Sequence, residues 1–383
     1  MYLIHRIILK LKKTYHEFFG LPKIKDLKLG GRNKLIHISA FSYGNAGDTI
    51  LPVVLRDLFI FCLSIKSWKG FHVKIPVEEK YLKTINKADG IVIGGGGLFL
   101  RDSHPNKTSG WQWNCSIENL LKINKPIIMF AVGYNRFRNQ EEFDPIFTNH
   151  LNEFVKKAKF VGIRNYGSIK RLKDYLEPSN AAKLCFQPCM TTLISKLYPN
   201  LTDYNSKQNF IAINCAFDRI NLRIESEETL NEIARVAKEL SHVTKIKYFS
   251  HMKSDEKILK YFEKYNLKYE LVRFQNLRQI IKEYASARLV IGMRGHSQMI
   301  PFGCNTSILS IVTHNKLQYF LDDINQPDLG VDVMKKDFDL KLLNKALETY
   351  ENYKSINKKL LAAQEKLYKI TLNNLDEINK VLS

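Results

Sequence analysis

The chain of 383 residues lacks any apolar run of about 20 residues, the length that is needed to cross a bilayer. Its first 19 residues, MYLIHRIILKLKKTYHEFF, mix charges with apolar residues and lack a small-residue cleavage site, which argues against a signal peptide. Its six cysteines have no regular spacing, and no second Cys or His pair accompanies Cys185 and Cys189 to complete a zinc site. We therefore expect a protein of the reducing cytoplasm that holds no metal ion.

Acidic residues are few. The chain has 38 Asp and Glu against 59 Lys and Arg, a formal net charge of +21. Such an excess attracts anions, and nucleic acid, an acidic membrane surface and a phosphorylated substrate all have suitable charge. Because the sequence contains no zinc finger, no RNP-type aromatic motif and no other nucleic-acid signature, we do not expect nucleic acid among its partners.

The N-terminal segment 1–33 contains apolar residues at helical spacing over residues 3–19, with basic residues between them. This pattern predicts a basic amphipathic helix. Its apolar stripe can pack on the body of the protein, or the helix can bind reversibly to an anionic membrane surface. On the second interpretation the protein is peripheral on the inner face of the cell membrane.

Strand-like and helical stretches alternate from residue 34 onward, which predicts a mainly parallel sheet covered by helices. The strand-like runs of the first half are 34–41, 90–95, 126–133 and 159–164. After a polar stretch at 198–208 the alternation restarts, with runs at 209–217, 243–250, 269–274, 288–292 and 307–312. We expect two Rossmann-like, doubly wound α/β domains, at 34–200 and 209–325, that face a cleft at the carboxyl ends of their strands. Residues 336–383 are polar with a helical pattern and predict a helical tail.

Two glycine-rich turns follow strand-like runs, SYGNAGD (42–48) and the four glycines of IVIGGGGLFLRD (91–102). Without side chains, their backbone N–H groups can approach a ligand closely, although tight turns without a ligand have the same composition. Neither turn matches a Walker or dinucleotide-binding fingerprint. The candidate ligand-binding residues are Gly44, Asn45, Gly47, Asp48, Gly95, Gly96 and Gly97.

The loop LRDSHPNKTSGWQWNC (100–115) contains two of the three tryptophans in the chain. Aromatic faces beside polar groups suit stacking against sugar rings, so His104 and Trp111 are candidates for binding an acceptor sugar. The alternative is a surface loop that its tryptophans anchor.

Charged residues follow two of the strand-like runs directly. Arg164 ends the run at 159–164, and Arg294 and His296 follow Leu289–Ile291 just before a short apolar helix. An arginine at the carboxyl end of a parallel strand faces the cleft, and its fork suits a carboxylate or a phosphate. A histidine beside it can donate or accept a proton near neutrality.

The chain resembles the polysaccharide pyruvyl transferase family over about residues 34–323. The resemblance is carried by YGNAGD, GGGGLF, GIRNYGSIKRL, ARLVIGMRGHSQMIPFGCNTSILSI and HNKLQYFLDDI, in this order. It implies a glycosyltransferase-B-like (GT-B) fold of two Rossmann-like domains. It also implies transfer of pyruvate from phosphoenolpyruvate to a sugar of a cell-surface glycan, usually as a cyclic ketal. Family members commonly have Arg-Leu-His where this chain has Arg294, Gly295 and His296.

The resemblance also assigns roles to residues. Arg164, Arg294 and His296 match donor-contacting positions, and phosphoenolpyruvate needs at least two well-placed cations, to which Lys316 could add a third. His296 is the first candidate for the acid or base, and His104 is a weaker one on the acceptor side. Phosphoenolpyruvate is then a co-substrate with no further cofactor, and the acceptor is a sugar or lipid-linked oligosaccharide of a bacterial polysaccharide such as a capsule or an exopolysaccharide.

Two other functions remain open at this point. A nucleotide-sugar-dependent GT-B glycosyltransferase would use the same architecture, although no clear acidic residue is placed to hold a ribose. A non-catalytic protein that binds a glycan or a membrane could also use this fold, given the changed middle residue of Arg294-Gly295-His296.

Overall fold

The computed structural model describes residues 33–41, 45–101, 107–138, 140–202, 207–224 and 226–383. The amphipathic helix expected at 3–19 therefore lies outside the described residues. Within the described ranges, no helix is both long enough and apolar enough to cross a membrane.

A six-stranded parallel sheet forms the first half of the molecule, here called the N-lobe (residues 33–202), in the order β2-β1-β3-β4-β5-β6. Its strands are β1 (Lys34–Ser39), β2 (Ser67–His72), β3 (Gly90–Gly94), β4 (Ile127–Val132), β5 (Phe160–Ile163) and β6 (Leu184–Phe186). Every residue of β3 and β4 is buried. Helices cover both faces of such a sheet, which is why its central strands read as continuous apolar runs.

The helices of the N-lobe are α1 (Ala46–Leu63), α2 (Glu79–Asn86), α3 (Ile117–Leu121), α4 (Pro145–Lys157), α5 (Tyr166–Lys173), α6 (Pro178–Ala181) and α7 (Ile194–Leu197). Helix α1 begins at the cleft. The side chain of Asn45 accepts a hydrogen bond from the Gly47 backbone N–H at 2.9 Å, which caps the helix. This cap holds the first turn of α1 at the carboxyl end of β1.

A second six-stranded parallel sheet forms the C-lobe (residues 207–332), in the order β12-β11-β10-β7-β8-β9. Its strands are β7 (Phe210–Asn214), β8 (Lys245–Ser250), β9 (Tyr269–Arg273), β10 (Leu289–Gly292), β11 (Ser307–Val312) and β12 (Gly330–Asp332). Its helices are α8 (Glu228–Leu240), α9 (Leu259–Lys264), α10 (Leu277–Ser286), α11 (His296–Gly303) and α12 (Asn315–Asp323). The two sheets confirm the expected pair of doubly wound α/β units.

The helical tail is also confirmed, as α13 (Phe338–Glu351) and α14 (Tyr353–Leu382). Helix α13 packs on the C-lobe against α8 and β11, and α14 returns to the N-lobe. There the Asn374 side chain donates to the Phe186 carbonyl at 2.9 Å, and Lys196 pairs with Glu365 at 2.7 Å. The tail therefore ties the two lobes together.

Three strands, β2, β6 and β12, have no counterpart in the sequence pattern, and all three lie at a sheet edge. An edge strand pairs on one side only and has less cover, so it needs no apolar run. Strand β2 reads SWKGFH, with every residue exposed or half-buried. Strands β6 and β12 have three residues each, too few for an alternation to be recognised.

Candidate active site

A cavity of about 430 Å³ lies between the lobes at the carboxyl ends of both sheets. The N-lobe contributes Asn45, Asp48, Gly96, Gly97 and Arg164 to its lining. The C-lobe contributes Asp218, Arg223, Arg294, His296, His314 and Lys316. The cavity is therefore a cleft in which side chains from two separately folded sheets meet.

Arg164 directly follows β5 and is 3% exposed. Its Nε and Nη2 atoms are buried and have no hydrogen-bond partner among the described residues. The guanidinium lies against Gly133, where a Cβ atom would be 2.3 Å from Nη2. Burial lowers the pKa of Arg164, although the charges of Cys189 and Asp323 act in the opposite direction, and no carboxylate of the described part forms an ion pair with it. Unpaired buried donors are costly, so this fork is suited to accept an anionic ligand.

His296 is the first residue of α11, and its ring crosses to the N-lobe. A Cβ atom on Gly47 would lie 2.2 Å from the Nδ1 atom of His296, so the ring packs on that glycine. Its Nε2 atom is buried and has no partner in the part of the chain that the structure describes. Burial, followed by the charges of Arg164 and Lys316, lowers the pKa of His296 well below its ordinary value. Both effects favour the neutral form of the ring.

Lys316 is the second residue of α12, and it approaches both lobes. Its Nζ atom would be 3.4 Å from a Cβ on Gly97 and 3.8 Å from one on Gly295. Burial, followed by the charges of Arg164 and Arg223, lowers the pKa of Lys316 well below its ordinary value. An anion in the cleft would reverse this effect because it stabilises the ammonium form.

Arg294 lines the cleft but is held by carboxylates. Its Nε donates to Asp255 Oδ2 at 2.9 Å, its Nη2 donates to Asp255 Oδ1, and Nη2 lies 2.7 Å from Asp218 Oδ1. Burial lowers the pKa of Arg294, but the hydrogen bonds and charge of Asp255 outweigh it, and the pKa is raised overall. Two carboxylates thus pair with this guanidinium, whereas Arg164 pairs with no described carboxylate. A direct contact between Arg294 and the donor stays a prediction.

Several cleft residues have no counterpart among the candidates from the sequence. Arg223 Nη2 donates to Asp218 Oδ2 at 3.0 Å, and the two residues lie in the irregular segment after β7, which has no pattern that marks them. His314 lies two residues after the end of β11 at Val312, and its buried Nε2 has no partner in the described ranges. The ring stacks on Phe137 of the N-lobe, with centroids 4.6 Å apart.

His251 directly follows β8 and is also buried. Burial, followed by the charge of Arg294, lowers the pKa of His251 to about 3. The rule that selected Arg164 and Arg294, a polar residue at the carboxyl end of a buried strand, would have found His251 and His314 as well.

Asp48 lies in the first turn of α1 and faces the cavity. Burial raises the pKa of its carboxyl to about 6, although the charges of Arg294 and Lys316 act in the opposite direction. A carboxyl group with this pKa can exchange a proton near neutral pH.

The glycines of the second turn have separate roles. Gly95 and Gly96 have φ values of +73° and +89°, which side-chain-bearing residues rarely adopt. Gly96 and Gly97 line the cavity, whereas a Cβ on Gly95 would lie 2.5 Å from Leu51 of α1. Packing against α1 therefore explains Gly95. The candidate Gly44 lies outside the described residues.

The prediction that Trp111 stacks on a sugar is wrong. Trp111 is 1% exposed, and its Nε1 donates to His150 Nδ1 at 3.0 Å inside a cluster with Phe99 and Trp113. A ring without an exposed face cannot receive a sugar. The alternative interpretation, a loop that its tryptophans anchor, describes the structure. His104 of the same loop lies outside the described residues.

The family model named Polysaccharide pyruvyl transferase matches residues 7–315, most of the chain. The chain belongs to the polysaccharide pyruvyl transferase family. This confirms the resemblance that the sequence motifs carry. Membership in the family, together with the two-lobed fold, indicates an enzyme that modifies polysaccharide. No curated protein matches the sequence significantly.

Solved structures with the same architecture are distant in sequence. A glycosyltransferase from Rickettsia africae has a TM-score of 0.55 at 12% identity, and the match covers 92% of this chain and 99% of that one. Anabaena HepE, solved with UDP and glucose, has the same TM-score and coverage at 10% identity. The UDP-GlcNAc 2-epimerase of Methanocaldococcus jannaschii has a TM-score of 0.51 at 13% identity, covering 83% and 92% of the two chains. These similarities confirm the GT-B-like fold of this family member.

Proposed function

We propose that the protein transfers pyruvate from phosphoenolpyruvate to a sugar of a bacterial surface polysaccharide or of its lipid-linked precursor, and that the product is a ketal. One observation carries the proposal. One cavity is lined by four basic side chains, those of Arg164, His296, His314 and Lys316. Buried nitrogens of the arginine and of both histidines have no partner among the described residues, and burial disfavours the charged form of the lysine. Such a site suits a small ligand with several negative charges, and phosphoenolpyruvate has a carboxylate and a phosphate on a three-carbon skeleton.

The two acidic groups of the donor have different preferred partners. The planar fork of Arg164 suits the carboxylate, which it can bind through two parallel hydrogen bonds. Lys316 suits the phosphate, together with the partial positive charges at the N-termini of α11 and α12, which both begin at the cleft. In this arrangement the donor lies between the lobes, with its reactive carbons beside His296.

Pyruvyl transfer to two hydroxyls requires movement of two protons. The first sugar oxygen bonds to C2 of phosphoenolpyruvate while C3 gains a proton and becomes a methyl group. The second sugar oxygen then bonds to C2 as the bond from C2 to the phosphate oxygen breaks. One hydroxyl proton is thereby transferred to C3 and the other leaves with hydrogen phosphate, so atoms and charges balance without a redox partner.

His296 suits the proton transfer to C3. In the cleft without donor, its pKa is held well below the ordinary value by burial and by neighbouring cations. A bound carboxylate and phosphate would offset those cations and raise the pKa of the ring, so that the imidazolium forms where it is needed. Such acid–base assistance is typically worth about 10²–10⁴-fold in rate.

The test is to incubate the purified protein with phosphoenolpyruvate and a panel of glycosides and lipid-linked oligosaccharides. We expect release of inorganic phosphate together with the mass gain of one pyruvyl ketal. Arg164→Ala should abolish both signals, while the matched control Arg171→Ala, on the surface of α5, should retain them. Stabilisation against heat by nucleotide sugars, with no response to phosphoenolpyruvate, would contradict the proposal and favour a glycosyltransferase.

We also propose that the basic segment 1–33 brings the enzyme to an anionic membrane surface, where lipid-linked acceptors reside. The support is the sequence pattern of residues 3–19 alone. Deletion of residues 1–20 should reduce co-sedimentation with vesicles that contain phosphatidylglycerol. Unchanged co-sedimentation would exclude this role.

A further inference from the structure

The carboxylates of the cleft differ in how they are engaged. Asp255 and Asp218 both pair with Arg294, and Asp218 also pairs with Arg223. Asp48 lines the same cavity, yet its carboxylate forms no hydrogen bond and no ion pair with any described residue. Among the described carboxylates of the cleft, the Asp48 carboxylate is therefore the one that is available to a ligand.

Asp48 is also adjacent in the chain to a residue that contacts the proposed acid. Its neighbour in the chain, Gly47, is in contact with the ring of His296. Asp48 belongs to the N-lobe and His296 to the C-lobe, so the two groups reach the cleft from different lobes. A donor held by Arg164 and Lys316 would lie between lobes that each contribute one proton-transfer group.

We propose that Asp48 is the general base that removes the proton of the attacking acceptor hydroxyl, an inference that rests on the proposed pyruvyl transfer. In the first step the hydroxyl oxygen bonds to C2, its proton passes to the Asp48 carboxylate, and imidazolium His296 protonates C3. In the second step the other hydroxyl bonds to C2 and gives its proton to neutral His296. The Asp48 carboxyl then protonates the departing phosphate, and both groups return to their starting states.

The surroundings of Asp48 agree with this role. Burial raises the pKa of the carboxyl to about 6, so it is a stronger base than an exposed aspartate and is still largely ionised at neutral pH. The nearby charges of Arg294 and Lys316 prevent the pKa from rising further, which keeps the group in the range where it can both accept and return a proton.

The decisive variant is Asp48→Asn, which preserves shape and removes the base. We expect kcat to fall by about 10²–10⁴-fold while thermal stabilisation by phosphoenolpyruvate is retained. The wild-type kcat/KM should decline as pH falls below about 6, since protonation inactivates the base, and this limb should be absent in the variant. Asp339→Asn is a matched control, because Asp339 is also in the first turn of a helix, α13, and pairs with Arg235 away from the cavity.

The outcomes separate this inference from the proposed function. If the wild-type protein releases no phosphate with any acceptor, the proposed function fails and the role of Asp48 fails with it. If the wild type is active and Asp48→Asn keeps near-normal kcat and the same acid limb, only the role of Asp48 is overturned. Loss of phosphoenolpyruvate binding in Asp48→Asn would also overturn it, because Asp48 would then support the donor site rather than act as a base.

Discussion

The ion pair between Asp255 and Arg294 allows a quantitative prediction. Asp255 is fully buried and Arg294 is 9% exposed, so replacing Asp255 with Ala leaves a guanidinium in the interior without its two-oxygen partner. Breaking a buried pair in this way costs about 3–5 kcal/mol. Asp218 remains 2.7 Å from Arg294 Nη2 and compensates in part, so we expect the lower end, about 3 kcal/mol. For a unit of about 150–250 residues, that loss corresponds to a fall in Tm of roughly 6–12 °C.

The assay is urea unfolding of four proteins: wild type, Asp255→Ala, Arg294→Met and the double variant. We expect the double variant to lose less stability than the sum of the single losses, since neither charge is then left alone. Asp328→Ala, an exposed residue of the same lobe, controls for a generic effect of losing an aspartate. An unchanged free energy of unfolding in Asp255→Ala, or strict additivity in the cycle, would refute the conclusion that Asp255 holds Arg294.

Three further predictions concern single positions. Gly47→Ala would place a Cβ 2.2 Å from His296 Nδ1 and should displace the ring. We expect kcat to fall by roughly 10²-fold while the circular dichroism spectrum stays unchanged. A normal kcat would contradict this prediction. Gly303→Ala would place a Cβ 1.9 Å from the Thr191 carbonyl oxygen, and thermal melting should show a loss of about 1–3 kcal/mol. Burial, followed by the charge of Arg56, lowers the pKa of His37 to about 3. Between pH 6.5 and 3 this histidine is therefore protonated in the unfolded chain but neutral in the folded protein. The free energy of unfolding of the wild type should fall as pH falls through this window. His37→Gln lacks that proton uptake, and the stability advantage of the wild type in urea unfolding should shrink from pH 7 to pH 5, by up to about 1.4 kcal/mol per pH unit.

The hydrogen bonds of His37 explain why its ring must be neutral. Arg56 Nε donates to His37 Nδ1 at 3.1 Å, so Nδ1 is an acceptor, and Nε2 then donates to the Gly94 carbonyl at 3.0 Å. Protonation of Nδ1 would remove the acceptor and place two cations side by side. A His37→Gln protein whose stability depends on pH as steeply as the wild type's would contradict this assignment.

Much of the architecture follows from the order of residues along the chain. Buried parallel strands require continuous apolar runs, and all nine runs marked in the sequence contain strands of the two sheets. Because the carboxyl ends of parallel strands share one edge, the chain order alone placed Arg164 near the cleft, and did the same for the pair Arg294 and His296. The motifs around these residues also identified the family.

Which charges of the cleft are paired depends on contacts between residues that are far apart in the sequence. Asp255 and Arg294 are 39 positions apart, and only the packed structure shows that Arg294 is paired whereas buried donors of Arg164 have no partner among the described residues. The burial of Trp111 was also set by tertiary packing, since an aromatic residue in a polar loop can face either the solvent or the core. Local sequence determines which segments are strands and where their ends lie, whereas charge balance and burial arise from surfaces that tertiary packing brings together.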